Sequence, residues 1–187
     1  MTGWPTPAAC FAGAVSRWDD RGGRARARRD HRRLDPLWSA MRSVVPEIEL
    51  VTQDRNVGRA RARRQDIRFA LYRRIIEIRD GQLSLRSHLH PHVPLWVAEV
   101  LGPARAEEFA VVVEAAAIAA VLEAARARHH FPAGPGEGCV PHPLVADLRE
   151  EAAWLVRVAA AYTGSPAVAH VRRRVREELA RAAAVPH

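Results

Sequence analysis

Residues 66–89, DIRFALYRRIIEIRDGQLSLRSHL, constrain the fold more than any other stretch of this chain. Ile67, Leu71, Ile75, Ile78, Leu85 and Leu89 step by four, four, three, seven and four. One face of a helix returns about every 3.6 residues, so this spacing builds a helix and does not suit the alternation of a strand. Phe69, Tyr72 and Ile76 widen the apolar stripe, while Arg68, Arg73, Arg74, Arg79 and Arg86 fall mostly on other faces. Gly81 weakens the helix by about 1 kcal/mol relative to alanine. Leu85 and Leu89 stay in phase beyond it, so one continuous helix is predicted.

Shorter helices flank this one. Asp35-Pro36 reads as an N-cap and a first helical residue, followed by a stripe of Leu37, Trp38, Met41, Val44 and Val45 that Pro46 ends. Ile48 and Leu50 suggest a short extended segment, and residues 52–63 a polar loop. Beyond HPHVP, residues 95–101 form a short helix closed by Gly102-Pro103. Residues 104–128 form a second long helix. Its small residues Ala115, Ala116, Ala117, Ala119 and Ala120 admit a close neighbour, expected to be the 66–89 helix. Residues 129–143 are rich in glycine and proline and read as a loop. Two more helices follow, residues 144–162 and 168–184, the second started by Ser165-Pro166. The expected fold is all-α: a single-domain bundle of five to six helices with two long central ones. It occupies residues 34–187 behind an arginine-rich, partly flexible segment, 1–33.

The charge is unevenly placed. The chain has 29 basic residues, every one an arginine, and a net charge of +8. Residues 1–92 carry 19 arginines against 10 acids, and residues 93–187 carry 10 against 11. The lack of lysine is a property of the whole chain and points to codon usage. The asymmetry is a different matter, because a basic half attracts anionic partners. Cys10 and Cys139 form no ligand or disulfide framework, so a reducing cytoplasm is expected. The most apolar run, residues 109–122, contains Glu114 and falls short of the roughly 20 residues a membrane span needs. No basic region precedes the apolar N-terminus, so no secretory signal is expected.

Three ordered motifs, LDPLWSAMRSVVPEIEL, DIRFALYRRIIEIRDGQLSLR and EEAAWLVRVAAAYTGSPAV, carry a resemblance across about residues 30–184. They resemble the cytoplasmic C-terminal domain of unknown function of actinobacterial membrane proteins catalogued as candidate transporters. Such proteins carry several membrane helices ahead of this domain, and the transmembrane part is missing here. The resemblance implies that residues 4–18, bracketed by Trp4 and Trp18, are the remnant of a last membrane helix. The arginines of residues 21–33 would be its positive flank on the inner side. The residues alone also fit a loosely docked terminus. No catalytic residue comes with the resemblance.

The chain contains no phosphate-loop, dinucleotide, zinc-protease or serine-hydrolase motif, so neither an enzyme nor a cofactor is expected. Three groups of residues are candidates for contact. Tyr72, Arg73, Arg74, Glu77, Arg79 and Asp80 concentrate charge on one helix, as surface ion pairs three or four residues apart or as a polar or anion contact. Arg24, Arg26, Arg28, Arg29, Arg32 and Arg33 could meet a membrane or phosphates. His88, His90 and His92 are weak candidates for a metal, and no metal site is assigned, because no cysteine or carboxylate stands at ligand spacing. The expected role is a non-enzymatic interaction or regulatory domain. It would act at the cytoplasmic membrane face, as a peripheral protein on an acidic membrane surface, or on a protein partner. The alternatives are a basic nucleic-acid-binding protein and an enzyme with a helical pocket.

Overall fold

The apolar repeats become helices. The computed structural model describes residues 21–48, 67–132 and 147–184. Among these residues there are seven α-helices and no strand. They are α1 (Arg21–Arg33), α2 (Asp35–Arg42), α3 (Ile67–Ser84), α4 (Val93–Leu101), α5 (Ala106–Arg126), α6 (Leu148–Gly164) and α7 (Pro166–Ala184). The count exceeds the expected five to six because the arginine-rich stretch is itself helical. Its inner stripe of Ala27, His31 and Leu34 packs it on α3 and α6. The expectations for residues 1–18, for the loop at 52–63, and for Cys10 and Cys139 lie outside the described residues.

Three local expectations are corrected. Asp35 does not cap α2. Leu34 holds the N-cap position in helical geometry (φ −81°, ψ −14°), and the Asp35 carboxylate instead accepts a hydrogen bond from Arg74. Ile48 is not extended but closes a 3-10 turn (Pro46–Ile48) and is buried. α3 does run through Gly81, yet it stops at Ser84, and a 3-10 turn (Arg86–His88) carries the chain on toward Leu89. The glycine is used for close approach: a Cβ there would lie 3.1 Å from Met41 Sδ and 3.5 Å from Ile48 Cδ1.

The largest correction concerns helix pairing. Every residue from Val111 to Leu122 is buried, so this part of α5 is covered on all sides. α5 packs mainly on α7, α6 and α4 rather than on α3 as expected, although Arg79 and Gln82 of α3 reach its Glu114. A helix that is apolar all round shows no preferred face in its sequence. α3 packs instead on α1, α2 and α6, and α6 touches both groups. The core therefore runs from α1–α3 through α6 to α4, α5 and α7. Burying each large aliphatic side chain such as Leu71, Ile78, Leu122 or Leu155 contributes about 1.5–3 kcal/mol over leaving it exposed. α6 is also capped: Asp147 Oδ1 accepts the N–H of Arg149 at 2.8 Å.

Candidate functional site

α3 carries charge into the interior on two faces. On one, Arg74, Glu77 and Gly81 are spaced three and four residues apart and meet α2. The Trp38 indole N–H donates to Glu77 Oε2 at 2.8 Å, Arg73 Nη2 lies 3.6 Å from Glu77 Oε1, and Arg74 pairs with Asp35. The Arg74 guanidinium also lies over the Trp38 ring, 4.0 Å from its centroid, in cation–π geometry. His31 of α1 faces this group. Burial first, and then the nearby Arg74 charge, hold its pKa below the ordinary 6.5.

On the other face, Arg79 joins three helices. Its Nη1 donates to Glu114 Oε1 of α5 at 2.5 Å and to Gln82 Oε1 at 2.7 Å, and its Nε donates to Glu151 Oε1 of α6 at 2.7 Å. Gln82 Nε2 and the Trp154 indole also donate to Glu114, at 2.9 Å and 2.6 Å. Arg79, Glu114 and Glu151 side chains are 10%, 7% and 3% exposed. Arg79, Gln82 and Trp154 all converge on the Glu114 and Glu151 carboxylates, so the cluster is built as a tie between helices. Both Glu114 oxygens already receive donors.

The candidate residues thus divide. Arg73, Arg74 and Glu77 belong to the α2 contact, and Arg79 to the α5–α6 contact. Tyr72 is half-buried, and Asp80 points to solvent. The i,i+4 pair of Arg73 and Glu77 forms as expected for a helix surface, but Glu77 itself is buried. Arg68 is buried as well, contrary to its expected outward placement.

The α1 arginines are placed otherwise. Arg24, Arg26, Arg28, Arg29, Arg32 and Arg33 are all exposed, and none forms an ion pair among the described residues. Arg28, Arg29, Arg32, Arg33 and Ala25 line an open surface groove of about 530 Å³. α7 also carries several arginines, but most of them meet an acid or a carbonyl. Arg176 grips Glu123 with two hydrogen bonds, of 2.7 and 3.0 Å, which hold that carboxyl below its ordinary 4.5. Arg174 donates to Glu99 at 3.1 Å, and Arg172 donates to the Tyr162 carbonyl at 3.1 Å.

The rings of His88, His90, His92, His129, His130, Trp96 and Phe131 make contacts among themselves, several within 5 Å between centroids. Their nitrogens do not converge on a point. His88 Nδ1 donates to the His129 carbonyl at 2.6 Å, and His90 Nε2 meets Glu178 Oε2 at 2.8 Å. Among the described residues no group of three or more His, Cys, Asp or Glu is arranged to hold a metal ion.

Fold and site together define an all-helical domain in which Arg74 and Arg79 are met by carboxylates of neighbouring helices and helix α1 presents an open arginine face. Among the described residues no helix is long and apolar enough to cross a membrane. The chain belongs to the DUF6545 family, a family of unknown function, which residues 17–165 match. No curated protein and no solved structure matches it.

The partners of Arg79 were not identified from sequence. Glu114 did carry a signal, as a lone acid within an apolar run that must find a donor once buried. Glu151, Gln82, Trp154 and Trp38 carried none, because each reads as an ordinary helix residue.

Proposed function

We propose that this is a non-enzymatic interaction domain that docks on an acidic membrane surface through the exposed face of α1. The observation that carries the reading is the contrast in charge pairing: six exposed arginines of α1 meet no carboxylate among the described residues, while Arg73, Arg74 and Arg79 of α3 and Arg173, Arg174 and Arg176 of α7 each do. Arginines near an anionic bilayer contribute about 1 kcal/mol each. The resemblance to cytoplasmic domains of actinobacterial membrane proteins supports the same setting, with the domain on the inner face and in a regulatory role beside a transporter.

Flotation of the full chain with vesicles of phosphatidylglycerol and phosphatidylcholine tests this. Binding is expected at low salt and is expected to fail with phosphatidylcholine alone. It should also fail at about 1 M salt, where charges are screened beyond about 3 Å. Replacing Arg28, Arg29, Arg32 and Arg33 with glutamine should weaken binding about a thousandfold, the equivalent of about 4 kcal/mol. Absence of binding at low salt rejects the membrane reading. The same arginines also suit a phosphate backbone, so a mobility shift with duplex DNA but no vesicle binding would favour nucleic acid.

A further inference from the structure

We propose that His90 is the centre of an acid-sensitive latch that ties the entry of α4 and the segment after α5 to α7. The His90 ring is buried between Trp96, at 4.3 Å between centroids, and Phe131, at 4.2 Å. Its Nδ1 accepts the backbone N–H of His92 at 3.1 Å, so that nitrogen carries no proton. Nε2 then holds the ring's proton and donates it to Glu178 Oε2 of α7 at 2.8 Å. One neutral tautomer satisfies both nitrogens. A second proton has to enter at Nδ1, where it would face the His92 N–H, break that bond and leave two donors opposed.

The groups around the ring decide the direction. On its own segment stand His88 and His92. His129 and His130 follow α5, and the His88 and His130 rings are 4.1 Å apart. α7 supplies Glu178, which favours the charged ring and is 32% exposed, so water screens it. It also supplies Arg174, whose guanidinium lies 5.5 Å from the Trp96 ring and binds Glu99 of α4. His170 of α7 also approaches Glu99, at 3.5 Å. Burial outweighs Glu178, and His92 and His129 add to it, so the His90 pKa lies below 6.5. A released His90 titrates at its ordinary value, so acid favours the open form. The closed latch is therefore fully stable above about pH 6.5 and loosens as pH falls from there toward the lowered pKa, by at most about tenfold in opening per pH unit.

Hydrogen exchange on the full chain, corrected for the intrinsic effect of pH, tests this. In the wild type, peptides covering residues 88–97 and 127–132 should exchange several-fold faster at pH 5.5 than at pH 7.5. His90→Gln supplies an uncharged acceptor and donor in the same place and should remove the pH dependence in those peptides. Equal acceleration in the variant overturns the proposal, as does an unchanged wild type. The nitrogen-15 shifts of the His90 ring give a reading that does not depend on the variant folding. A neutral Nε2–H tautomer at pH 7.5 and a midpoint below 6.5 are expected, and a midpoint at or above 6.5 rejects the latch.

Discussion

α1 and α3 are both studded with arginine, and they use it in opposite ways. In α3, Arg74 and Arg79 point into the bundle, where carboxylates from α2, α5 and α6 meet them. In α1, Arg28, Arg29, Arg32 and Arg33 point outward and meet none among the described residues. Residue type therefore does not set the role. What sets it is whether the helices packed alongside deliver an acid to the guanidinium. α3 is enclosed by three helices, whereas α1 turns to them a stripe of Ala27, His31 and Leu34 and leaves the rest to solvent.

The comparison is most severely tested at Arg79. Arg79→Ala leaves Glu114 and Glu151 buried without their shared cation, and breaking a buried pair in this way costs about 3–5 kcal/mol. Chemical denaturation should show that loss. A loss below about 1 kcal/mol would mean that the cluster is hydrated and that α3 is not tied as described. Next comes Trp38→Phe, which keeps the ring but removes the donor to Glu77. A buried acceptor losing a partner costs about 1–3 kcal/mol, so the variant should unfold at correspondingly lower denaturant. An unchanged midpoint would show that the indole bond contributes nothing.

How far this was legible in the sequence follows from where the information lies. The helical character of α3 is local, because each apolar residue predicts the next one three or four positions on. The interior placement of Arg79 is not local, since Glu114 and Glu151 stand 35 and 72 positions away. The pairing of α5 failed for a related reason: with Val111 to Leu122 buried all round, no stripe pointed to a neighbour. The α1 arginines were legible as a cluster, but their lack of partners depends on which helices come near.

His31 offers a smaller test at the junction of the two helices. Burial and Arg74 depress its pKa, so the folded state prefers the neutral ring. The unfolded chain binds the proton more readily, and stability is therefore complete above about pH 6.5 and falls as pH drops below it. His31→Gln should flatten the stability curve between pH 6.5 and 5.5. A slope identical to that of the wild type would place the acid sensitivity elsewhere, with His90 the first group to examine.

The smallest effect on stability is expected from the α1 face, and there the comparison is sharpest. Replacing Arg28, Arg29, Arg32 and Arg33 together with glutamine removes no ion pair among the described residues. Arginine and glutamine have nearly equal helix propensity. Two terms remain and oppose each other. Arg28 with Arg32, and Arg29 with Arg33, repel at four-residue spacing, which costs about 0.2–0.5 kcal/mol per pair. Arg32 and Arg33 in the last turn favour the helix dipole by a similar amount. The unfolding midpoint should therefore move by less than about 1 kcal/mol, while vesicle binding is lost. A variant that lost several kcal/mol would show that these arginines hold the fold as Arg79 does, and the distinction between α1 and α3 would collapse.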